Sequence, residues 1–140
     1  MKKKMFMMVC LAVLGIQVVK AQIAALALHH SGNVTMYSAQ NFSDMMTAAA
    51  TGDTIYVSSG SITTDVTITK KLTFIGAGQE TIIHGKVSVA IPDSVTLTSR
   101  LLQNLKINGD VTVDAPIAGM VLDKCMMNNI SFNANIDAST

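Results

Sequence analysis

Ile83-His84-Gly85-Lys86-Val87-Ser88-Val89 returns 24 residues later as Ile107-Asn108-Gly109-Asp110-Val111-Thr112-Val113, and a looser copy, Met127-Asn128-Asn129-Ile130-Ser131-Phe132, comes about 20 residues on. Self-similarity with a period in the low twenties indicates a solenoid, in which each repeat is one coil that buries its apolar side only by stacking on the next. The phase of the echo predicts a register. Ile83, Ile107 and Met127 form one inward ladder, Val87, Val111 and Ile130 a second, and Val89, Val113 and Phe132 a third, while Ser88, Thr112 and Ser131 face outward. Parallel coils stack about 4.8 Å apart, and a fully buried aliphatic side chain contributes ~1.5–3 kcal/mol, so three such ladders can hold coils together without disulfides.

At one phase of each copy stand His84-Gly85, Asn108-Gly109 and Asn128-Asn129. A turn recurring at that phase marks a coil corner, and Gly and Asn suit it through their tolerance of positive φ. Asn108-Gly109 is also the strongest hairpin dipeptide in the chain, so a two-sheet β-sandwich is the rival architecture. Outward from the echo, short strands with period-two alternation are predicted at residues 54–57, 66–68, 72–75, 81–83, 86–89, 95–97, 105–107, 111–113, 120–122 and 130–132, with Gly, Asn, Asp or Pro in most gaps.

One helix interrupts this pattern. Over residues 41–50, Phe42, Met45, Met46 and Ala49 fall on one face. Asn41 or Ser43 can cap its first turn, Asp44 complements its positive end, and Gly52 stops it. Residues 22–37 are ambiguous. Residues 23–28 either prolong the leader or lie along the first coil, residues 29–33 look like a turn, and residues 34–37 alternate like a strand.

Residues 1–21 read as a secretory signal, with a basic start at Lys2, Lys3 and Lys4, an apolar run from Met5 to Val19, and cleavage between Ala21 and Gln22. That run is short for a bilayer span of about 20 residues, so no stable membrane span is expected after cleavage. Met7-Met8-Val9 lacks the small residue that precedes a lipidated cysteine, which argues against Cys10 as a lipid anchor. Localisation is therefore secreted, periplasmic or cell surface. The chain has 10 Lys+Arg and 9 Asp+Glu; losing Lys2, Lys3, Lys4 and Lys20 leaves 6 against 9, a net charge of −3. That balance argues against a nucleic-acid partner. The remaining basic pair, Lys70-Lys71, reads as a solvated strand end. Cys125 is left without a partner cysteine and reads as a small core residue.

The stretch Asn41 to Gly78, with FSDMMTAAATGDTIYVSSGSI and then TITKKLTFIGAG, resembles the opening of right-handed parallel β-helix proteins of the pectin-lyase-like superfamily. The likeness covers about residues 38–134. It implies that the helix caps the first coil and shields an edge that would otherwise invite aggregation. The fold expected is all-β: a short right-handed parallel β-helix with an N-terminal amphipathic capping helix, over residues 38–140. Lyases of that group bind Ca²⁺ through clustered carboxylates and use an Arg or Lys base, and related hydrolases use two or three Asp on adjacent coils. Asp110, Asp114 and Asp123 are the one group that coil geometry can bring together, and they read as solvated corner carboxylates; Arg100, the single Arg, has no carboxylate within six residues in sequence. His29-His30 point to opposite sides of an extended segment and make a poor chelate. His84 reads as a turn residue, and Met126-Met127 as core filler. Asn104, Asn108, Asn128, Asn129, Asn133 and Asn135 are expected to bond along the axis as corner ladders.

No catalytic, cofactor-binding or metal residue is assigned, and no cofactor is expected. The reading leans towards a non-enzyme: an exported β-helix scaffold for surface adhesion or carbohydrate contact, a truncated member of its group, with a polysaccharide or cell-surface partner. Self-association through an uncapped C-terminal coil goes with it. The alternative is the N-terminal fragment of a polysaccharide lyase or glycoside hydrolase whose catalytic coils are absent.

Overall fold

The computed structural model describes residues 22–92, 100–114 and 121–133. The expectations for the leader, for Cys10, for a strand at 95–97 and for Asn135 lie outside the described residues.

The described chain begins with an antiparallel hairpin of β1 (Ala25–His30) and β2 (Asn33–Ser38). Ser31 and Gly32 turn it with φ of 48° and 83°, the two-residue primed geometry that matches strand twist. Residues 22–37 thus belong to the fold. Leu26 and Leu28 of β1 are buried in the core, and β1 runs antiparallel to the first coil. A 3₁₀ turn at Ala39–Asn41 leads into α1 (Phe42–Ala48). Phe42, Met45, Met46 and Ala49 are all buried, the face that the spacing predicts. The helix termini depart from expectation. The 3₁₀ turn starts the helical run early, so Asn41 makes no capping bond, and its Oδ1 instead accepts from Ser38 Oγ at 3.4 Å. The helix also stops before Gly52, because Ala49 is already extended (φ −67°, ψ 143°).

From here every strand runs parallel to its equivalent in the next coil. The first coil is β3 (Thr54–Val57), β4 (Gly60–Ile62) and β5 (Val66–Ile68), and the second is β6 (Thr73–Gly76), β7 (Thr81–Ile83) and β8 (Val87–Val89). The third is β9 (Arg100–Gln103) and β10 (Lys106–Val113), and the last described is β11 (Val121–Asp123) and β12 (Met126–Phe132). They form two six-stranded sheets. One is ordered β11-β9-β6-β3-β1-β2; in the other β4-β7-β10-β8-β5 is joined by β12, which pairs with β10. Across the described residues the result is a parallel β-solenoid of about three turns, 55% strand, with one short helix. Asn108-Gly109 is no hairpin: β10 continues through it and pairs in parallel with β7, β8 and β12, which removes the sandwich.

The predicted ladders are present and extend one coil further. Ile62, Ile83, Ile107 and Met127 are in register, as are Val66, Val87, Val111 and Ile130, and Ile68, Val89, Val113 and Phe132. On the other sheet Leu28, Ile55, Phe74, Leu102 and Leu122 make a fourth.

The corner glycines have a different reason from the one expected. Gly85 and Gly109 are not at positive φ. A Cβ on Gly85 would run into the Thr64 carbonyl, and one on Gly109 into the Gly85 carbonyl. Successive backbones touch at this corner, and only hydrogen fits between them.

Candidate functional site

The cap is tied to the first coil by two charged side chains. Asp53, at the mouth of β3, is buried, and its carboxylate accepts from the Ala50 amide at 2.7 Å and meets His30 Nδ1 at 2.8 and 2.9 Å. Burial pushes this carboxyl up, but the Ala50 amide bond, the His30 bond and the nearby imidazoles of His30 and His29 outweigh that and hold it below the ordinary carboxylate range. His30 Nε2 in turn lies 3.4 Å from Ser31 Oγ. This chain of contacts runs from a buried acid to an exposed turn and fixes the hairpin against the coil. His29 and His30 therefore do separate things, as their alternation implies: His30 anchors and His29 is exposed.

Lys70 corrects another expectation. It is no solvated strand end, because its ammonium donates to the carbonyls of Met46 (2.9 Å), Thr47 (3.3 Å) and Ala49 (2.6 Å). These carbonyls close the helix, where no intrahelical donor remains and the helix dipole favours a cation.

The carboxylates singled out by sequence do not converge. Asp110 lies in β10 and accepts from Asn129 Nδ2 at 3.1 Å, Asp114 is exposed just beyond that strand, and Asp123 ends β11 on the other sheet. Among the described residues no three of His, Cys, Asp and Glu are grouped so as to hold a metal ion. Arg100 opens β9. Cys125 is half-buried against the core, and burial pushes its thiol up, away from the reactive thiolate.

The corner amides do bond along the axis, though not amide to amide. Asn104 Nδ2 donates to the Gly76 carbonyl and Asn128 Nδ2 to the Asn108 carbonyl, each at 3.1 Å, and Asn108 Nδ2 stands 3.4 Å from His84 Nδ1. Asn104 and Lys124, one coil apart, both take positive φ, 58° and 53°.

Two polar surfaces bear on ligand contact. On the face of β5, β8, β10 and β12, the outward residues Thr67, Ser88, Thr112 and Ser131 are in register from coil to coil. Where α1 meets β5, a cleft of about 370 Å³ has Phe42 and Met46 in its lining and carries Gln40, Ser43, Asp65, Thr67 and Thr69 around them. One oxygen of Asp65 accepts from the Lys86 amide at 2.8 Å. The outward row is readable from the echo. The cleft is not, because it arises where the helix lies beside a strand well separated from it in sequence; the one signal for it is the polar run Thr63-Thr64-Asp65 with Thr67 and Thr69 on the outward side of the strand nearest the cap.

No family model, curated protein or solved structure matches this chain.

Proposed function

We propose that the protein is an exported, non-catalytic β-solenoid scaffold that contacts carbohydrate at a cell surface. The observation that supports this most is the hydroxyl row Thr67, Ser88, Thr112 and Ser131. Adjacent parallel strands set its spacing at about 4.8 Å, and each hydroxyl both donates and accepts. A straight line of such groups on a sheet face suits an extended hydroxylated polymer better than a compact ligand. The test is retention on insoluble polysaccharides. The protein should be retained, and Thr112→Val, which keeps shape and removes the hydroxyl, should weaken retention. Loss of retention only upon unfolding, with Thr112→Val indistinguishable from the parent, sinks the reading.

A second reading has its own support. The two motifs that resemble the pectin-lyase-like opening stack on each other, with Thr54–Val57 over Thr73–Gly76 residue for residue. On this reading the chain is the N-terminal part of a polysaccharide lyase or glycoside hydrolase. Release of unsaturated or reducing ends from polymer substrates by a protein carrying further coils favours it, and an in-frame stop after codon 140 removes it.

A further inference from the structure

The cleft between α1 and β5 is open and lined mainly by hydroxyl, amide and carboxylate side chains. Its volume of about 370 Å³ lies in the range of small-molecule sites, about 300–1,000 Å³. The side chains of Gln40, Ser43, Thr67 and Thr69 are exposed at the cleft and make no hydrogen bond to another described residue. Phe42 and Met46, both nearly buried, show only an edge at the floor of the cleft.

The charge of the lining decides what fits. Among the lining residues Asp65 brings a carboxylate and none brings an ammonium, and the ammonium of Lys70 is committed to the helix carbonyls. An anion entering this cleft meets the Asp65 carboxylate and no cationic lining residue. A neutral polyhydroxylated ring meets hydroxyls, an amide and a carboxylate oxygen for its OH groups.

We propose that this cleft binds a single neutral sugar ring and rejects uronic acids. The choice of a sugar rests on the carbohydrate-contact reading above, but the site extends beyond the outward row: Thr67 belongs to both, whereas Gln40, Ser43 and Thr69 belong to the cleft alone. The cap therefore holds one ring, while the sheet face contacts a polymer along its length.

The experiment is an NMR titration of isotope-labelled protein with methyl β-D-glucopyranoside, methyl β-D-galactopyranoside and D-galacturonate, run beside the polysaccharide-retention assay. At least one neutral glycoside should move the amide resonances of residues 40–46 and 64–69 saturably, and galacturonate should not. Thr69→Val, an exposed isosteric change, should weaken the neutral glycoside about five- to tenfold, the effect of one neutral hydrogen bond. Silence of these resonances towards both neutral glycosides, or equal binding of galacturonate, overturns the proposal. If polymer retention depends on Thr112 while the cleft stays silent, the cleft fails and the scaffold reading stands. If the cleft responds while no polymer is retained, the row fails and the cleft stands.

Discussion

The first and the last described coils of the solenoid carry the same ladders under different cover. In the first coil Ile62, Val66 and Ile68 are as buried as Ile107, Val111 and Val113 in the middle of the stack. In the last described coil their counterparts Ile130 and Phe132 are 37% and 44% exposed, and Met127 is only partly covered. All occupy inward positions of one repeat. The difference lies in their neighbours along the axis. The first coil has the hairpin and α1 over it, and Phe42 of α1 also stacks on Phe74 of the second coil at 6.1 Å, whereas the last has no rung beyond it among the described residues. A repeat pattern fixes which side chains point inward; burial also requires a neighbour on both sides.

The largest expected effect breaks that comparison within a single ladder. Ile107→Ala, in the middle, should cost about 3 kcal/mol from lost transfer and a cavity, whereas Met127→Ala, in register with it on the last described coil, should cost about 1 kcal/mol or less because solvent already reaches the site. Urea denaturation of both variants measures the contrast, and equal losses contradict it. Next comes the corner. Gly109→Ala sets a Cβ against the Gly85 carbonyl and should destabilise by about 2–3 kcal/mol through forced backbone movement. Gly32→Ala in the hairpin, with open space around it and φ of 83°, should cost about 1 kcal/mol, for its left-handed backbone alone.

Smaller effects sharpen the account of the cap. Lys70→Met keeps much of the stem and removes the donor to three helix carbonyls, and should cost about 1 kcal/mol, with faster exchange confined to α1. The smallest effect is one of acidity. The Asp53 carboxyl is held below its ordinary value of 3.8 in the folded protein, so its contribution is complete above that value and is lost as pH falls through the lower folded one. Thermal unfolding from neutral to acid pH should show this decline in the parent and a flatter curve in Asp53→Asn, which starts less stable. An unchanged slope would remove Asp53 as the acid-sensitive tie.

The ladders were legible because parity and period are local properties, and a 24-residue echo brings two coils into phase without any knowledge of their contacts. The apolar face of the helix was legible for the same reason. Lys70, Asp53 and His30 were not, because each finds its partner across 21 to 24 residues of chain, and nothing in the residue itself indicates which carbonyl or ring will lie opposite. The corner glycines were assigned to the right place for the wrong cause: sequence marks Gly85 and Gly109 as special but cannot separate a positive φ from a backbone too close for a Cβ. The cleft was invisible because it belongs to neither the helix nor the strand alone. The echo also marked the outward row, whose chemistry awaits its ligand.

Native-state hydrogen exchange, read at β8, β10 and β12 together with the molecular mass in solution, tests the central claim most directly. β8 and the middle of β10 should exchange only with global unfolding. In a monomer β12 should exchange much faster, and its protection should rise only with concentration as copies associate through the last described coil. A monodisperse monomer in which Met126–Phe132 is as strongly protected as β10 would contradict the account.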